Sequence, residues 1–380
     1  MIVPHVVKAN PFEPLLPDLP LRTVQEMGLK ELERIRLILR GGSVIEWRQL
    51  HFRTRDEVDR FLKLCLIDPG NSDDEAWARL ILGEAVEYLR RTFDYRVAAA
   101  VAHPREIHDL FLYAADAEEP NRYRRIACVV LKVMHVIQHL EGRDILFRLA
   151  ISEADLQELV TRKVLGVAKE MRQRGLPIVD FTHSHKTPES IITKLLAKKE
   201  TIAAQLYDKT RFRIITRTGA DVLPVLYLLT QRLFPFNLVV PGQTQNTLIH
   251  FKKLLLENPH LAGYAEQLHL DLNYEDSETL EVNRFSGKSY RALSFVADVP
   301  IRLDAFLPPP EHDHRPRKGR IGYALAEFQI MDQETAAKNE SGENSHAEYK
   351  KRQRVEVLRR LSRGLVVPRK RRKPSQGNSA

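Results

Sequence analysis

The chain is poor in cysteine. Cys65 and Cys128 are the only two among its 380 residues, which excludes a disulfide framework or a cysteine-built zinc site and fits a reducing compartment. It also lacks the run of about eighteen apolar residues that a membrane-spanning helix needs. The best candidate, 127–140, is interrupted by Lys132, His135, Gln138 and His139. The first residues, MIVPHVVKANPFEP, show no basic segment followed by an apolar one. No secretory leader and no membrane partner are therefore expected, and the expected location is the cytoplasm. Apolar residues are not scarce. At 43% of the chain they suffice for a sizeable core and exclude a mainly disordered protein.

Positive charge is unevenly placed. The formal net charge is +9, yet residues 346–380 hold 12 Lys or Arg against two acids, Glu348 and Glu356. The rest of the chain is nearly neutral. The cluster Arg369, Lys370, Arg371, Arg372 and Lys373 can neutralise phosphates, so an RNA contact through this tail is one expectation and a solvated tail is the other.

Periodicity divides the chain into four. Residues 1–20 contain five prolines and read as an extended segment. Residues 21–175 read as helical throughout, with windows at 56–66, 75–93, 104–115, 122–140 and 153–174. From 176 to 363 the pattern alternates. Helices are expected at 188–206, 221–233, 244–257 and 335–363, the last broken near Ser341-Gly342. Strands are expected at 211–217, 236–240, 268–274, 292–302 and 321–331. Residues 364–380 read as a disordered basic tail. The expected fold class is α+β, an all-helical N-terminal region followed by an α/β domain with a mixed sheet of about five strands flanked by helices.

The second half carries the chemistry. Lys186, Ser190 and Lys194 are spaced to share one helix face, with Ile191, Ile192, Leu195 and Leu196 toward the core. Two ammonium groups and a hydroxyl in a row suit a polyphosphate. Asp208 precedes a strand on which Arg211, Arg213 and Arg217 share a face opposite Phe212 and Ile214. A carboxylate at the mouth of a basic strand suits a magnesium–triphosphate. Glu327 and Gln329 alternate with Ala326, Phe328 and Ile330, the mark of a half-buried strand. Tyr290 and Ser294 share a face of another strand, and His346, Tyr349 and Lys350 crowd one helical turn.

In order and spacing these segments resemble the synthetase domain of RelA/SpoT-type alarmone synthetases. KTPESIITK, YDKTRFRIIT, SYRALS, EFQIMD and SHAEYK are similar to five motifs of that family. The likeness covers about Lys186 to Lys350. Most departures fall on the acceptor side. Ser184 stands in place of an arginine, Lys288 of an asparagine, Ser289, Ala292 and Ser294 of a glycine, a serine and a histidine, and Met331-Asp332 of Arg-Thr.

The resemblance implies a pyrophosphotransferase that moves pyrophosphate from ATP to the 3′-hydroxyl of GDP or GTP. Asp208 and Glu327 would be the catalytic carboxylates and would hold Mg²⁺. Lys186, Ser190, Lys194, Arg213 and Arg217 would bind ATP. Tyr290, Gln329, Lys288, His346, Tyr349 and Lys350 would bind the acceptor. The altered acceptor motif leaves two alternatives: another acceptor (an adenine nucleotide or a tRNA 3′ end), or a non-catalytic nucleotide- or RNA-binding regulator.

Two further signals point elsewhere. His135 and His139 have zinc-ligand spacing on a helix, but lack the HExxH order and an evident further ligand. His108-Asp109 is an HD dipeptide with no histidine at a suitable distance upstream. Both read as polar positions in a helical scaffold.

Overall fold

The computed structural model describes residues 23–41, 52–116, 122–149, 151–197, 210–267, 289–307, 319–341 and 344–362. Helices fill the first part: α1 (Leu29–Arg40), α2 (Arg55–Leu64), α3 (Ser72–Phe93), α4 (Ala99–Ala102), α5 (Ile107–Ala115), α6 (Arg122–Arg148) and α7 (Glu153–Gln173). Local chemistry explains their starts. Asn71 accepts from the backbone N–H groups of Asp73 and Asp74. Acids fill the first turn of α3 and Arg90 and Arg91 its last, complementing the helix dipole at both ends. Ser152 caps α7 by accepting from Asp155 N, while Asp155 reaches back to Ser152 N.

The second part adds β1 (Ile178–His185), α8 (Pro188–Ala197), β2 (Thr210–Thr216), α9 (Val222–Arg232), β3 (Gln245–Asn246), α10 (Phe251–Glu257), α11 (Ala262–Gln267), β4 (Leu293–Arg302), β5 (Ile321–Asp332), α12 (Gln333–Asn339) and α13 (His346–Leu361). The five strands form one mixed sheet in the order β1-β2-β5-β4-β3. Strands β2 and β5 pair in parallel and the other neighbours are antiparallel. The α+β class with a five-stranded mixed sheet is therefore what the sequence predicts.

Two cores hold the chain together. One joins the sheet's apolar face (Phe212, Ile214, Phe295, Phe328, Ile330) to α9 and to residues of α1 and α7, among them Leu32, Ile35, Val160 and Val164. The rings of Phe212 and Phe295 stack on Phe328 with centroids 5.4 and 5.5 Å apart. The other core lies among α2, α3, α5 and α6, around Phe61, Trp77, Ile81 and Leu131, and takes in Phe236 and Ile321 from the second part. Helix α6 passes so close to β5 that a Cβ on Gly142 would fall 2.4 Å from the Tyr323 ring.

Several expected elements differ. Residues 178–185 form a strand that the polar run THSH disguises. It is the exposed edge of the sheet, where alternation with a buried face is weak. Phe236–Leu238 is a 3₁₀ turn, followed by a single bridge from Val239 to Ala297. The helix expected from Thr244 begins at Phe251, after β3. The final helix is broken as expected near Ser341, into α12 and α13. The strand expected at 268–274, residues 1–20 and the basic tail from 364 lie outside the described residues. No described helix is long and apolar enough to cross a membrane.

Candidate functional site

The polar face of the sheet is built by strict alternation. In β2 Phe212 and Ile214 are fully buried while Arg211 and Arg213 are half-buried on the other side. In β5 Phe328 and Ile330 are buried with them, leaving Glu327 and Gln329 opposite. The parallel register pairs Arg211 with Glu327 and Arg213 with Gln329. On the far side of β5, Ser294 pairs with Gln329, and on the near edge Ser184 pairs with Arg211. One sheet face therefore carries two arginines, a carboxylate, an amide and two hydroxyls in adjacent positions.

Helix α8 brings the lysines. Its start is fixed by Thr187, whose hydroxyl accepts from Ser190 N, and by Pro188 in the first turn, where a missing N–H costs little. Lys186 sits two residues ahead of the helix, on the exit from β1. It nevertheless reaches hydrogen-bonding range of Lys194. Burial first, then the neighbouring charges of Lys194 and Arg211, push the Lys186 ammonium down to about 6, with Glu327 opposing them. The Ser190 hydroxyl accepts from Thr187 at 3.3 Å. One expectation fails here. Ile192 and Leu196 are exposed rather than turned to the core, while the C-terminal end of α8 packs on α13 through Ala197, Val357 and Tyr349.

Arg211 Nε donates to Glu327 Oε2 at 2.9 Å. Burial would raise the Glu327 carboxyl, but Arg211 beside it, with Lys186 and Lys194, outweighs burial and holds it below the usual carboxylate range. Glu327 is thus ionised, and it is better suited to holding positive charge than to accepting a proton. Gln329 Nε2 donates to the Tyr290 hydroxyl at 2.8 Å and lies 3.4 Å from Ser294 Oγ. Burial, the main cause, raises the Tyr290 phenol, and its ring packs with Ala292, Met331 and Ala336. Asp332, in a position of departure from the family motif, caps α12 by accepting from Thr335 N.

The expected site residues are therefore not all together. Glu327, Lys186 and Lys194 share one cluster, and Tyr349 of α13 is close enough to Arg211 to add to its charge environment. Tyr290 and Gln329 form the adjoining pair. Ser190 belongs to the start of α8. Arg213 is drawn the other way, donating to Glu340 at 2.9 Å. Arg217 lies one residue past β2 and is exposed, as is Lys350 on α13. Asp208, Lys288 and the His346 side chain lie outside the described residues. Arg211 is the residue that pattern reading undervalued. Its alternation with Arg213 put it on this face, but nothing in the sequence disclosed a partner 116 positions away.

The other histidine signals resolve into packing. The rings of His135 and His139 lie tilted against each other with centroids 4.4 Å apart at the junction of α6 with the sheet, their pKa values driven down to about 3 and about 4, chiefly by burial. His139 Nε2 lies 3.6 Å from Asp298 of β4. Asp109 accepts from Glu106 N at the start of α5. Among the described residues no group of three or more His, Cys, Asp or Glu stands ready to hold a metal ion. Glu327 alone among cations does not suit a bare ion. Mg²⁺ is commonly held by one or two carboxylates together with substrate phosphates, and that donor set fits a carboxylate set among phosphate-binding cations.

No family model and no curated protein matches the sequence. Solved structures do show a likeness. The small alarmone synthetase 1 from Bacillus subtilis is 14% identical over 58% of this chain and 89% of that one, with a TM-score of 0.30. A GTP pyrophosphokinase family protein from Streptococcus pneumoniae is 17% identical over 59% and 89%, with a TM-score of 0.29. The Bacillus subtilis synthetase bound to its product pppGpp is 16% identical over 55% and 94%, with a TM-score of 0.29. Overlap at this level decides nothing about activity, and the functional reading rests on the residues of this chain.

Proposed function

We propose that the protein is a pyrophosphotransferase that moves pyrophosphate from ATP to the 3′-hydroxyl of a guanine nucleotide. The observation that carries this reading is the cluster of Lys186, Lys194 and Arg211 around the ionised Glu327 on one sheet face. Two cations, Lys194 and Arg211, and the Lys186 amine, which a bound polyanion would charge, suit a polyphosphate that arrives with its own divalent ion. The described parts of four of the five motifs similar to those of RelA/SpoT-type synthetases contribute Lys186, Lys194, Arg211, Glu327, Gln329 and Tyr290 to this cluster and its adjoining pair, which supports the same reading.

Phosphoryl-group transfer asks the protein for positioning and charge neutralisation more than for covalent chemistry. Lys186, Lys194 and Arg211 would bind the donor phosphates. Glu327, with Asp208, would hold Mg²⁺, which when bound would neutralise charge on the donor phosphates. Tyr290 and Gln329, already joined by a hydrogen bond, would orient the acceptor base. Arg213 would reach the phosphates only by leaving Glu340. The attacking oxygen bonds to the β-phosphorus, the bond to the α-phosphate oxygen breaks, AMP leaves, and the hydroxyl proton passes to solvent or to a phosphate oxygen.

The test is transfer of label from ATP carrying it at the γ-phosphate, with Mg²⁺ and with GDP, GTP, ATP or bulk tRNA in separate reactions. Labelled guanine nucleotide is the expected product. Glu327→Ala and Asp208→Ala should each lose about a thousandfold in rate, about 4 kcal/mol of barrier. Label on ATP or tRNA alone would move the proposal to another acceptor, and transfer that survives both substitutions would place the chemistry elsewhere.

A further inference from the structure

The carboxylate proposed for the metal is already engaged. Arg211 Nε binds Glu327 Oε2 at 2.9 Å, and the Glu327 side chain is only 13% exposed. Lys194 and Lys186 lie on the same cluster. A divalent cation approaching Glu327 alone meets the fixed charge of Arg211 and Lys194 in a partly desolvated pocket, where like charges repel strongly. A polyanion meets the opposite field. It draws the guanidinium toward phosphate oxygens, which match its planar fork at least as well as a carboxylate does.

We infer that Arg211 is a latch on Glu327 that keeps the site closed to a free divalent ion and opens it only to one arriving with nucleotide polyphosphate. The inference rests on the proposed reading of this site and adds an order to it: phosphates displace Arg211, and only then is the Glu327 carboxylate released. Arg211 thus has two roles, holding Glu327 before the donor arrives and the donor phosphates after it. The device prevents an ion from occupying the carboxylate unproductively, and it couples the availability of Glu327 to the presence of donor.

The test reads metal binding rather than turnover. Mn²⁺ binding to the full chain is followed by electron paramagnetic resonance, with and without α,β-methylene-ATP, in which the bond that would be cleaved is blocked. Wild-type protein should bind Mn²⁺ at least tenfold more tightly with the analogue than without it. Arg211→Gln should bind Mn²⁺ alone at least tenfold more tightly than wild type. Arg211→Lys keeps the charge and should stay closed. The double variant Arg211→Gln, Glu327→Gln should lose the gain. Thermal melting checks that each variant is folded, and Arg211→Lys still tests the latch against wild type if Arg211→Gln is not.

Wild-type affinity for Mn²⁺ that is indifferent to the analogue, while the analogue itself binds, would overturn the latch. So would folded Arg211→Gln with no gain, a gain that survives in the double variant, or an Arg211→Lys protein that binds free Mn²⁺ well. Failure of wild type to bind the analogue at all, seen by calorimetry, would instead remove the nucleotide reading. The comparison of wild type with Arg211→Gln in Mn²⁺ alone reports on the latch in either case.

Discussion

Arg302 of β4 grips Asp74 of α3 through both ends of its guanidinium, with donor–acceptor distances of 2.9 and 2.7 Å. The two side chains are 6% and 3% exposed. The pair ties the helical part to the sheet, and the same arginine donates to the Leu66 carbonyl, where the chain turns with φ of 64°. Arg302 also pairs with Asp304, so removing Asp74 leaves its charge only partly compensated. Asp74→Ala should cost about 1–3 kcal/mol, measured by urea unfolding of the full chain. Replacing both partners by apolar residues (Asp74→Leu with Arg302→Met) should cost much less.

Lys186 should carry a stability cost for its position. Its ordinary value is 10.5 and in the folded chain it falls to about 6. Between these values the unfolded chain binds the proton and the folded chain does not. The penalty therefore grows as pH falls from about 10.5 to about 6 and is constant below that. Lys186→Met should raise Tm by at least about 3 °C at pH 7 and by less at pH 9.5, while it abolishes transfer.

The same amine makes anion binding draw protons from solution. A bound polyphosphate stabilises the charged form of Lys186, so its pKa rises on binding and a proton is taken up. Calorimetric titration of the ATP analogue at pH 8 in Tris and in phosphate-free HEPES should give apparent heats that differ by an uptake approaching ~1 proton. Lys186→Met should remove most of the difference. Affinity should strengthen as pH falls toward 6 and then level off.

Gly142 allows α6 to lie against β5. A methyl group there would meet the Tyr323 ring at 2.4 Å and the Ile321 carbonyl at 2.9 Å. Gly142→Ala should destabilise the protein by about 1–3 kcal/mol through overpacking, read as a shift in the urea midpoint. Gly166, which has nothing within 4 Å, should tolerate alanine and gain slightly from better helix propensity.

The sequence exposed local patterns well and distant partners poorly. Alternation identified β2 and β5 and the shared face of Glu327 and Gln329, because each needs only a buried neighbour on either side. Strand β1 stayed hidden because an edge strand need bury little, and its THSH segment is exposed throughout. Thr187 and Asp332 are short-range caps, readable once a helix start is suspected. The bond from Arg211 to Glu327 was not readable, since register between strands so far apart is set by packing of the whole sheet. The pairing of His139 with Asp298 was hidden for the same reason.

Parallel pairing of β2 with β5 has a consequence for biogenesis. The two strands cannot meet until the intervening chain has been made and has crossed over. As translation proceeds, the first wall of the proposed phosphate groove waits for its second, and contacts of such long sequence separation form slowly. A nascent chain stalled before residue 321 would carry the cationic wall with no carboxylate opposite it, so nucleotide binding of the kind proposed can begin only after β5 has been made.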